Sequence, residues 1–266
     1  MSIAAETLPA PLFQVRGLTK RYGKRTILDR LDFDIERGEC LVILGRSGTG
    51  KSVTLRQLNG LEPADGGSVV FDGVNVTDLE ERDLFPLRKR IAMLFQSGAL
   101  FDSMNVLDNV AFPLREHTAM GDEEVRQRVA DRLQMVRLSG IEDKMPSDLS
   151  GGMKKRVALA RSLVLDPEVV LFDEPTTGLD PVTSATIGRL IRDVQESVGV
   201  TAVVVTHDIP LARLVGDRLA YLAEGRFRFF GTWAEAESCD DAEFADFLAG
   251  REESDGGRPQ NQQTGS

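Results

Sequence analysis

The sequence predicts an α/β fold in which a mostly parallel β-sheet is covered by helices on both faces. Short apolar runs of strand length recur along the chain, and segments with helical periodicity lie between several of them. The runs cover residues 13–16, 28–35, 40–44, 69–71, 91–95, 169–172, 201–206 and 219–222. The helical segments include residues 53–59, 122–138, 157–164 and 181–194. This alternation favours a parallel sheet, and ligand sites in such sheets form where the strands end.

The composition fits one large α/β domain or two smaller ones. The chain has 266 residues, of which 41% are hydrophobic and 28% charged, as in globular proteins generally. No apolar run approaches the roughly 20 residues that a membrane-spanning helix needs. Residues 1–6 lack the basic and apolar segments of a signal peptide. The sequence therefore predicts a cytosolic chain.

The net charge of −10 is concentrated at the C-terminal end. Residues 234–266 contain nine acidic residues and two arginines, a net charge of −7, which leaves −3 for residues 1–233. Because the body of the chain is nearly neutral, its electrostatics give no support for a nucleic-acid partner. Residues 251–266 are polar and rich in glycine, and we expect them to be disordered.

A glycine-rich loop lies between the run at 40–44 and the helix that follows it. Its sequence is Gly45-Arg46-Ser47-Gly48-Thr49-Gly50-Lys51-Ser52, which fits the pattern G-x-x-x-x-G-K-[ST] of a P-loop. Glycines let the backbone approach an anion, and N–H groups at a helix start point at phosphate oxygens. Lys51 would supply a positive charge to the β- and γ-phosphates, and Ser52 would offer its hydroxyl to Mg²⁺. The flanking strand and helix favour a P-loop over a simple glycine turn.

Two adjacent acids end another buried run. Asp173 and Glu174 follow residues 169–172, where a carboxylate is costly to bury without a cation. Asp173 therefore suits a Mg²⁺ partner, and Glu174 can polarise an attacking water as general base. Strand-end acids can also cap a helix, but the P-loop favours the metal. Gln96 and His207 also follow predicted strands, so we expect all four at the sheet edge that carries the P-loop.

A third motif gives the set a family resemblance. The segment Leu149-Ser150-Gly151-Gly152-Met153 resembles the signature loop of ABC transporter ATP-binding subunits. The resemblance covers about residues 12–233, and its motifs occur in the family's order. It implies an ABC-type P-loop NTPase fold with N-terminal antiparallel strands and a helical subdomain. Within that range we expect an ATPase core at 12–96 and 160–233 and a helical and signature subdomain at 97–159. The residues that follow predict a helical extension at 234–250 and a disordered tail at 251–266.

The resemblance also implies roles that the patterns alone leave open. Tyr22 would stack on adenine, and His207 would hold the γ-phosphate and orient the catalytic water or Glu174. Gln96 would link Mg²⁺ and water to the transmembrane partner, and Asp180 would communicate across a dimer. The expected catalytic residues are Glu174, His207 and Gln96, and the expected metal residues are Ser52, Gln96 and Asp173. The expected nucleotide-binding residues are Tyr22, Gly45, Arg46, Ser47, Gly48, Thr49, Gly50, Lys51, Ser52, Val53, Ser150, Gly151, Gly152 and Asp180.

The signature loop departs from the common pattern at Met153, where many relatives have glutamine. Ser150 and the backbone of Gly151 and Gly152 remain, so we expect ATP binding with altered contacts around Met153. The resemblance implies that a chain's P-loop and its own Ser150 serve different nucleotides. Two chains would then form a homodimer, stacked head to tail with two ATP molecules between them.

A narrower resemblance lies in Met93-Leu94-Phe95-Gln96-Ser97-Gly98-Ala99-Leu100-Phe101, continued at 105–106 and 109–118. It is similar to the ATPases of Mla-type transporters, which move phospholipids between the inner and outer membranes of the bacterial envelope. The implied partners are an integral membrane permease, an MCE-domain lipid-binding protein and, as a further candidate, a small accessory subunit. The implied location is peripheral, on the cytoplasmic face of the inner membrane. No nucleic-acid partner is expected.

Three alternatives stay open at this point. The chain could serve an ABC transporter of another substrate, such as an amino acid or a metal chelate. It could be a soluble ABC ATPase acting on ribosomes or DNA, although that class usually carries two cassettes or a long coiled-coil insertion. A P-loop switch without a transporter is the third, and the signature loop argues against it.

Two segments are expected to bind partner proteins. Residues 97–118 mix glycine, proline and aromatic residues with no clean period, which we interpret as a docking groove for the permease. The apolar residues expected in that groove are Leu100, Phe101, Phe112 and Leu114. The acidic region after Ala234 is expected to bind a second protein or the sister subunit, with a solvated tail as the alternative. Its apolar positions are Phe244, Phe247 and Leu248.

Overall fold

The computed structural model describes residues 10–251. The strands are β1 Phe13–Tyr22, β2 Arg25–Ile35, β3 Cys40–Leu44, β4 Gly66–Phe71, β5 Val74–Asn75, β6 Ile91–Leu94, β7 Val169–Asp173, β8 Thr201–Thr206, β9 Arg218–Ala223 and β10 Arg226–Thr232. The helices are α1 Lys51–Leu58, α2 Glu81–Arg90, α3 Val106–His117, α4 Asp122–Met135, α5 Gly151–Leu163, α6 Pro181–Val198, α7 Ile209–Val215, α8 Trp233–Glu237 and α9 Ala242–Leu248.

The strands form two sheets. One sheet has the order β10-β9-β3-β8-β7-β6; its strands β9 to β6 pair in parallel, and β10 pairs antiparallel to β9. The other sheet is antiparallel with the order β2-β1-β4-β5. The mostly parallel core and the N-terminal antiparallel strands are both confirmed.

Strand β3 lies inside the parallel sheet and serves two hydrophobic cores at once. Leu41 and Ile43 face the core that the sheet shares with the antiparallel strands and α1. Cys40, Val42 and Leu44 face the core formed with the helices on the other side. All five side chains are buried, which explains the uninterrupted apolar run, because a strand covered on both faces shows no alternation. The P-loop is therefore anchored to the interior of the domain.

Helices α2 and α3 were not identified individually in the sequence, although α3 lies within the predicted helical subdomain at 97–159. Helix α2 buries just two side chains, Leu84 and Leu87, around Pro86, so it presents too short a pattern to recognise. Helix α3 also contains a proline, Pro113. The interpretation of residues 97–118 as aperiodic was wrong for this part, because the buried residues of α3 recur at helical spacing. They are Val106, Leu107, Asn109, Val110, Ala111 and Leu114.

The corrected helix changes which side chains can face a partner. Leu114 is 1% exposed and belongs to the helical core, so its assignment to a docking groove was wrong. Phe101, in the loop before α3, is 41% exposed, and its ring packs against that of Phe112 with centroids 4.9 Å apart. The accessible part of this segment is therefore the loop at 95–104 and not the inner face of α3.

The C-terminal helices pack onto the chain's own core. Phe244 is fully buried, and its ring stacks on those of Tyr221 and Phe229 with centroids 5.0 and 4.9 Å apart. Phe247 and Leu248 pack against the same core. Phe244 therefore cannot contact a partner as expected, whereas Phe247 and Leu248 remain partly exposed, and the partner role of the region after Ala234 stays a prediction. The predicted disordered tail at 251–266 lies, apart from Arg251, outside the described residues.

The domain boundaries predicted from the sequence stay predictions. The boundary between 159 and 160 falls inside α5, so one continuous helix links the proposed signature subdomain to the proposed ATPase core. Within residues 10–251, no helix combines the length and apolarity that crossing a bilayer requires.

Candidate nucleotide-hydrolysis site

The P-loop joins the end of β3 to the start of α1, and its tight path depends on glycine. A Cβ atom on Gly45 would lie 2.5 Å from the carbonyl oxygen of Leu222, so no larger residue fits there without a shift. Gly50 has φ 110°, a left-handed conformation that side chains strongly disfavour. The Thr49 hydroxyl donates to the carbonyl of Arg46 at 2.9 Å, which closes the loop. These features hold the loop in a tight curve before the start of α1.

Lys51, the first residue of α1, is buried against the loop backbone. Its ammonium group donates to the carbonyl oxygens of Gly45 and Arg46 at 2.8 and 3.0 Å. It also lies 3.1 Å from a carboxylate oxygen of Glu174. These oxygens compensate a cation that is 5% exposed, and they hold its charge where phosphate oxygens would enter the loop.

Ser52 and Asp173 form an oxygen pair at the foot of the loop. The Ser52 hydroxyl donates to the Asp173 carboxylate at 2.6 Å, across 121 residues of chain. Hydroxyl and carboxylate oxygens are ligands that Mg²⁺ accepts, and Mg²⁺ in such sites takes its other ligands from phosphates and water. The described part of the chain contains no group of three or more His, Cys, Asp or Glu side chains that could hold a metal alone. The pair fits a magnesium ion.

Glu174 is aimed by an unusual backbone conformation. It has φ 47°, which costs free energy in a residue with a side chain and is often found at functional sites. Its N–H donates to the carbonyl of Val205 at 3.0 Å, which fixes the turn after β7. One carboxylate oxygen contacts Lys51, and the other lies 2.9 Å from the Nδ1 atom of His207. The carboxylate thus stands between an ammonium and an imidazole.

These groups open onto one cavity of about 890 Å³, within the size range of small-molecule sites. Most of the predicted site residues lie on its wall. They are Tyr22, Arg46, Ser47, Gly48, Gly50, Lys51, Ser52, Val53, Gln96, Glu174 and His207. Gly45 and Thr49 support the loop through the contacts described above. Asp173 lines a smaller adjoining cavity together with Gln96.

Four described residues of the predicted set, Ser150, Gly151, Gly152 and Asp180, lie away from this cavity wall. Ser150 is the N-cap of α5, and its hydroxyl oxygen accepts from the N–H of Met153 at 3.3 Å. Asp180 is the N-cap of α6 and accepts from the N–H groups of Val182 and Thr183. The Thr183 hydroxyl also donates to it, and these bonds lower the pKa of Asp180. Both residues therefore have a capping role within their own chain.

The two helix starts touch each other. A Cβ atom on Gly152 would lie 2.5 Å from the methyl group of Thr183, so the glycine permits the close packing of α5 on α6. Ser150 and Gly151 remain exposed. The signature loop and the Asp180 turn thus form one continuous surface, separate from the P-loop cavity.

Lys155 contacts a predicted site residue but was not identified from the sequence. Lys155 of α5 is 7% exposed, and its ammonium donates to the backbone carbonyl of Gln96. Burial lowers the pKa of Lys155. Arg161, two turns further along α5, donates to the carbonyl of Gly98 at 3.0 Å. A cation three residues after Gly152, on the buried stripe of α5, is a signal that could have identified this contact.

The fold and the site together define a P-loop nucleoside-triphosphate hydrolase. The ammonium of Lys51, the Ser52–Asp173 oxygen pair and the Glu174–His207 pair are groups of the kind that could bind phosphate, hold a metal ion and act as a base. A family model described as "ABC transporter" matches residues 28–177. The chain belongs to the ABC transporter family, in which it is an ATP-binding subunit.

Curated proteins of two kinds are similar to the chain. The chain is 40% identical to the intermembrane phospholipid transport system ATP-binding protein MlaF of Haemophilus influenzae, over 92% of each chain. It is also 40% identical to MlaF of Escherichia coli K12, over 91% of this chain and 90% of that protein. It is 44% identical, over 90% of its length, to a probable ribonucleotide transport ATP-binding protein of Mycobacterium leprae and to its counterpart in Mycobacterium tuberculosis. It spans 69% and 66% of those two chains.

Solved structures share the same fold. The dimeric ABC cassette MJ0796 in a post-hydrolysis state with ADP and phosphate has a TM-score of 0.76 and 35% identity, covering 83% of this chain and 98% of that one. The ABC transporter protein cbiO1 of Clostridium perfringens has a TM-score of 0.80 and 32% identity, covering 86% of this chain and 91% of that one.

Proposed function

We propose that this chain hydrolyses ATP to drive an ABC transporter that moves phospholipids between the inner and outer membranes of a bacterial envelope. The observation that carries the hydrolase role is the position of Glu174, whose two carboxylate oxygens contact Lys51 and His207 beside the Ser52–Asp173 pair. The cargo rests on the likeness to the MlaF proteins.

Each group has a definite task in this account. When the nucleotide binds, phosphate oxygens replace the carbonyl and carboxylate acceptors of Lys51. The ammonium then pairs with the phosphates, and the Glu174 carboxylate is released from it. Glu174 then polarises the attacking water and accepts its proton. His207, hydrogen-bonded to Glu174, keeps the carboxylate and the water in line. Gln96 follows β6 at the same sheet edge and completes the wall on the side of the transmembrane partner.

Magnesium would be held by Ser52 and Asp173, with Gln96 close by. When bound, it neutralises negative charge on the phosphates during transfer. The Ser52 hydroxyl and the Asp173 carboxylate are already 2.6 Å apart, so they present an oxygen pair with little rearrangement.

We assign the complete site to two copies of the chain. Within one chain, Ser150 and the N–H groups of Gly151 and Gly152 lie on a surface away from the P-loop cavity. The solved cassette MJ0796 is described as dimeric. In a head-to-tail homodimer, the signature loop of each chain would face the γ-phosphate held by the P-loop of the other, and Asp180 would lie at the contact.

The proposed transporter partners rest on the resemblance to the Mla-type ATPases. An integral membrane permease would dock on the exposed loop at 95–104 and in the groove of about 320 Å³ beside it, between α2, α3 and α5, whose wall includes Pro113 and Arg161. The Arg161 guanidinium carbon, which lies 5.6 Å from the centroid of the Phe101 ring, joins the two. An MCE-domain lipid-binding protein and a small accessory subunit would complete the assembly. The chain would then be peripheral, on the cytoplasmic face of the inner membrane.

A second candidate cargo is a ribonucleotide, because the mycobacterial relatives are so described. The phospholipid cargo is favoured because the likeness to MlaF extends over nine-tenths of both chains.

One reconstitution separates the two cargoes. The complex would be purified from its native membrane, its partners identified by mass spectrometry, and the complex placed in phospholipid vesicles. Energy-dependent movement of labelled phospholipid, together with a co-purifying MCE protein, is the expected result. Movement of ribonucleotide without lipid would contradict the proposal.

A further inference from the structure

Tyr22 is an exposed aromatic residue on the wall of the nucleotide cavity. The residue is 46% exposed and lies on the cavity wall. The ammonium group of Lys20 lies 5.4 Å from the ring centroid, within the range of a cation–π contact. Lys20 is 7% exposed and donates to the carbonyl of Pro63 at 2.7 Å, so its position is fixed. The ring therefore has one fixed neighbour, while the residue as a whole remains nearly half exposed.

The hydroxyl of Tyr22 is also fixed. It donates to a carboxylate oxygen of Glu62. The other oxygen of Glu62 lies 2.8 Å from the Nε atom of Arg56, a residue of α1. Burial and the Glu62 carboxylate raise the pKa of Tyr22, so the hydroxyl keeps its proton and can donate. A chain of two polar contacts thus joins the ring to the helix that begins at the P-loop lysine.

The loop at residues 61–65 makes this connection rigid at both ends. At one end, the N–H of Leu61 donates to the carbonyl of Arg56 at 2.9 Å. At the other, the N–H of Asp65 donates to the carbonyl of Thr19 at 2.9 Å, and the Asp65 carboxylate accepts from the N–H of Arg21 at 2.7 Å. Residues 61–65 therefore tie the end of β1, which carries Tyr22, to the end of α1.

From this geometry we propose that Glu62 is a positioning residue for the nucleobase, holding the Tyr22 ring at a fixed orientation and distance from the P-loop. The proposal rests on the proposed function, because it requires that Tyr22 stacks on the base of a bound nucleotide. Its physical basis is preorganisation: a ring already oriented loses less freedom when the base binds. Glu62 acts through Tyr22 and needs no contact with the nucleotide.

The test compares ATP with a ligand that has phosphates and no base. Calorimetry would measure the binding of ATP and of inorganic tripolyphosphate, each with Mg²⁺, to the full chain. The variants are Tyr22→Ala, Tyr22→Phe, Glu62→Ala, Glu62→Gln and the double variant Tyr22→Phe/Glu62→Ala. Glu81→Gln, which changes a carboxylate on α2 paired with Arg88, is the matched control and should leave both affinities unchanged.

The expected pattern is specific. Tyr22→Ala should weaken ATP binding about tenfold, the scale of base–aromatic stacking. Tyr22→Phe and Glu62→Ala should each weaken it about threefold, the scale of one hydrogen bond. The double variant should be no weaker than either single variant, because both changes break the same contact. Glu62→Gln, which keeps an acceptor oxygen, should restore most of the affinity. Tripolyphosphate binding should be unchanged throughout.

Other outcomes overturn different parts. Normal ATP binding by Tyr22→Ala would remove the stacking role and the positioning role with it. Weaker binding by Tyr22→Ala, with normal binding by Tyr22→Phe and Glu62→Ala, would leave stacking intact and reject Glu62. Equal loss of ATP and tripolyphosphate binding in Glu62→Ala would show that Glu62 acts on the P-loop through Arg56, which also contradicts the proposal.

Discussion

The P-loop region and the signature region both contain a helix that starts beside glycines, but they differ in their charged groups. The P-loop region holds a buried lysine paired with a carboxylate, and the signature loop does not. Lys51 is buried and contacts the Gly45 and Arg46 carbonyls and the Glu174 carboxylate. Ser150, in contrast, is exposed at the start of α5, where its hydroxyl oxygen accepts from the N–H of its own helix. A helix N-terminus attracts anions, so both regions can contact phosphate, but from different surfaces of the chain.

The two regions contribute to different sites. The ends of β3, β7 and β8 bring together, within one chain, the residues proposed as the base, the metal ligands and the cation that binds phosphate. Packing of Gly152 against Thr183 fixes the shape of the signature loop. Among the described contacts of this loop, none is with a cation that could pair with a phosphate. We therefore expect substitutions in the P-loop region to affect the ATP site of the same chain. Substitutions in the signature region should affect the ATP site of the partner chain.

The largest effect is expected for Glu174→Gln. Removing the base should lower ATP turnover about 100-fold or more, while ATP binding persists, because Lys51 and the loop N–H groups remain. Steady-state hydrolysis and nucleotide binding would be measured on the same preparation, with Glu123→Gln on the exposed start of α4 as control. Normal turnover would remove Glu174 from the role of base.

Lys51→Ala should act on binding itself. The substitution removes the charge that faces the β- and γ-phosphates, a contact of the strength of a charged hydrogen bond, so ATP affinity should fall by roughly 10- to 100-fold. Lys144→Ala, at an exposed lysine outside the site, serves as control. Unchanged affinity in Lys51→Ala would contradict the assignment of the P-loop.

Ser150→Arg should separate the two regions. The substituted chain should still bind ATP as a monomer, since its P-loop cavity is untouched, but turnover should fall by about tenfold or more, because the opposite site loses an oxyanion donor. Ser147→Arg, which places the same charge three residues earlier on the exposed turn, tests for a non-specific effect of charge. Loss of monomeric ATP binding in Ser150→Arg would contradict the separation.

The smallest effect on the catalytic reaction is expected for Phe101→Glu. This exposed ring lies beside Arg161, 5.6 Å from its guanidinium carbon, at the segment proposed to meet the permease. The substitution should lower co-purification of the permease and leave nucleotide binding intact. Val74→Glu, an equally exposed apolar residue on β5, is the control. Undiminished complex formation would move the permease contact elsewhere.

The sequence predicted the elements whose pattern is local and missed those that depend on packing. The uninterrupted run of β3 and the glycine loop after it specify a buried strand and a phosphate cradle within fifteen residues. Helix α2 has too few inward residues to show a period, and Pro113 obscures that of α3. Phe244 was assigned to a partner surface because nothing in its neighbourhood reveals the Tyr221 and Phe229 rings that cover it.

Within the candidate site, residue identity could be predicted but contacts could not. The pairing of Ser52 with Asp173 spans 121 residues, and the positive φ of Glu174 leaves no mark in the sequence. The buried Lys155 could have been noticed as a cation on an apolar stripe, yet its acceptor, the Gln96 carbonyl, is set by the loop after β6. Such features arise from tertiary packing, which pattern reasoning does not reach.

The central claim is that each ATP site is shared between two chains, and a mixed dimer tests it most directly. Lys51→Ala chains and Ser150→Arg chains, both carrying Glu174→Gln to slow turnover, would be combined with Mg²⁺ and an ATP analogue that carries a photoreactive group on its γ-phosphate. In the heterodimer, one site loses both halves and the other keeps the P-loop of the Ser150→Arg chain and the signature loop of the Lys51→Ala chain. Mass spectrometry distinguishes the two signature peptides by the substitution. The account predicts that the label is found on the signature peptide of the Lys51→Ala chain, whereas label confined to the Ser150→Arg chain would contradict the shared site.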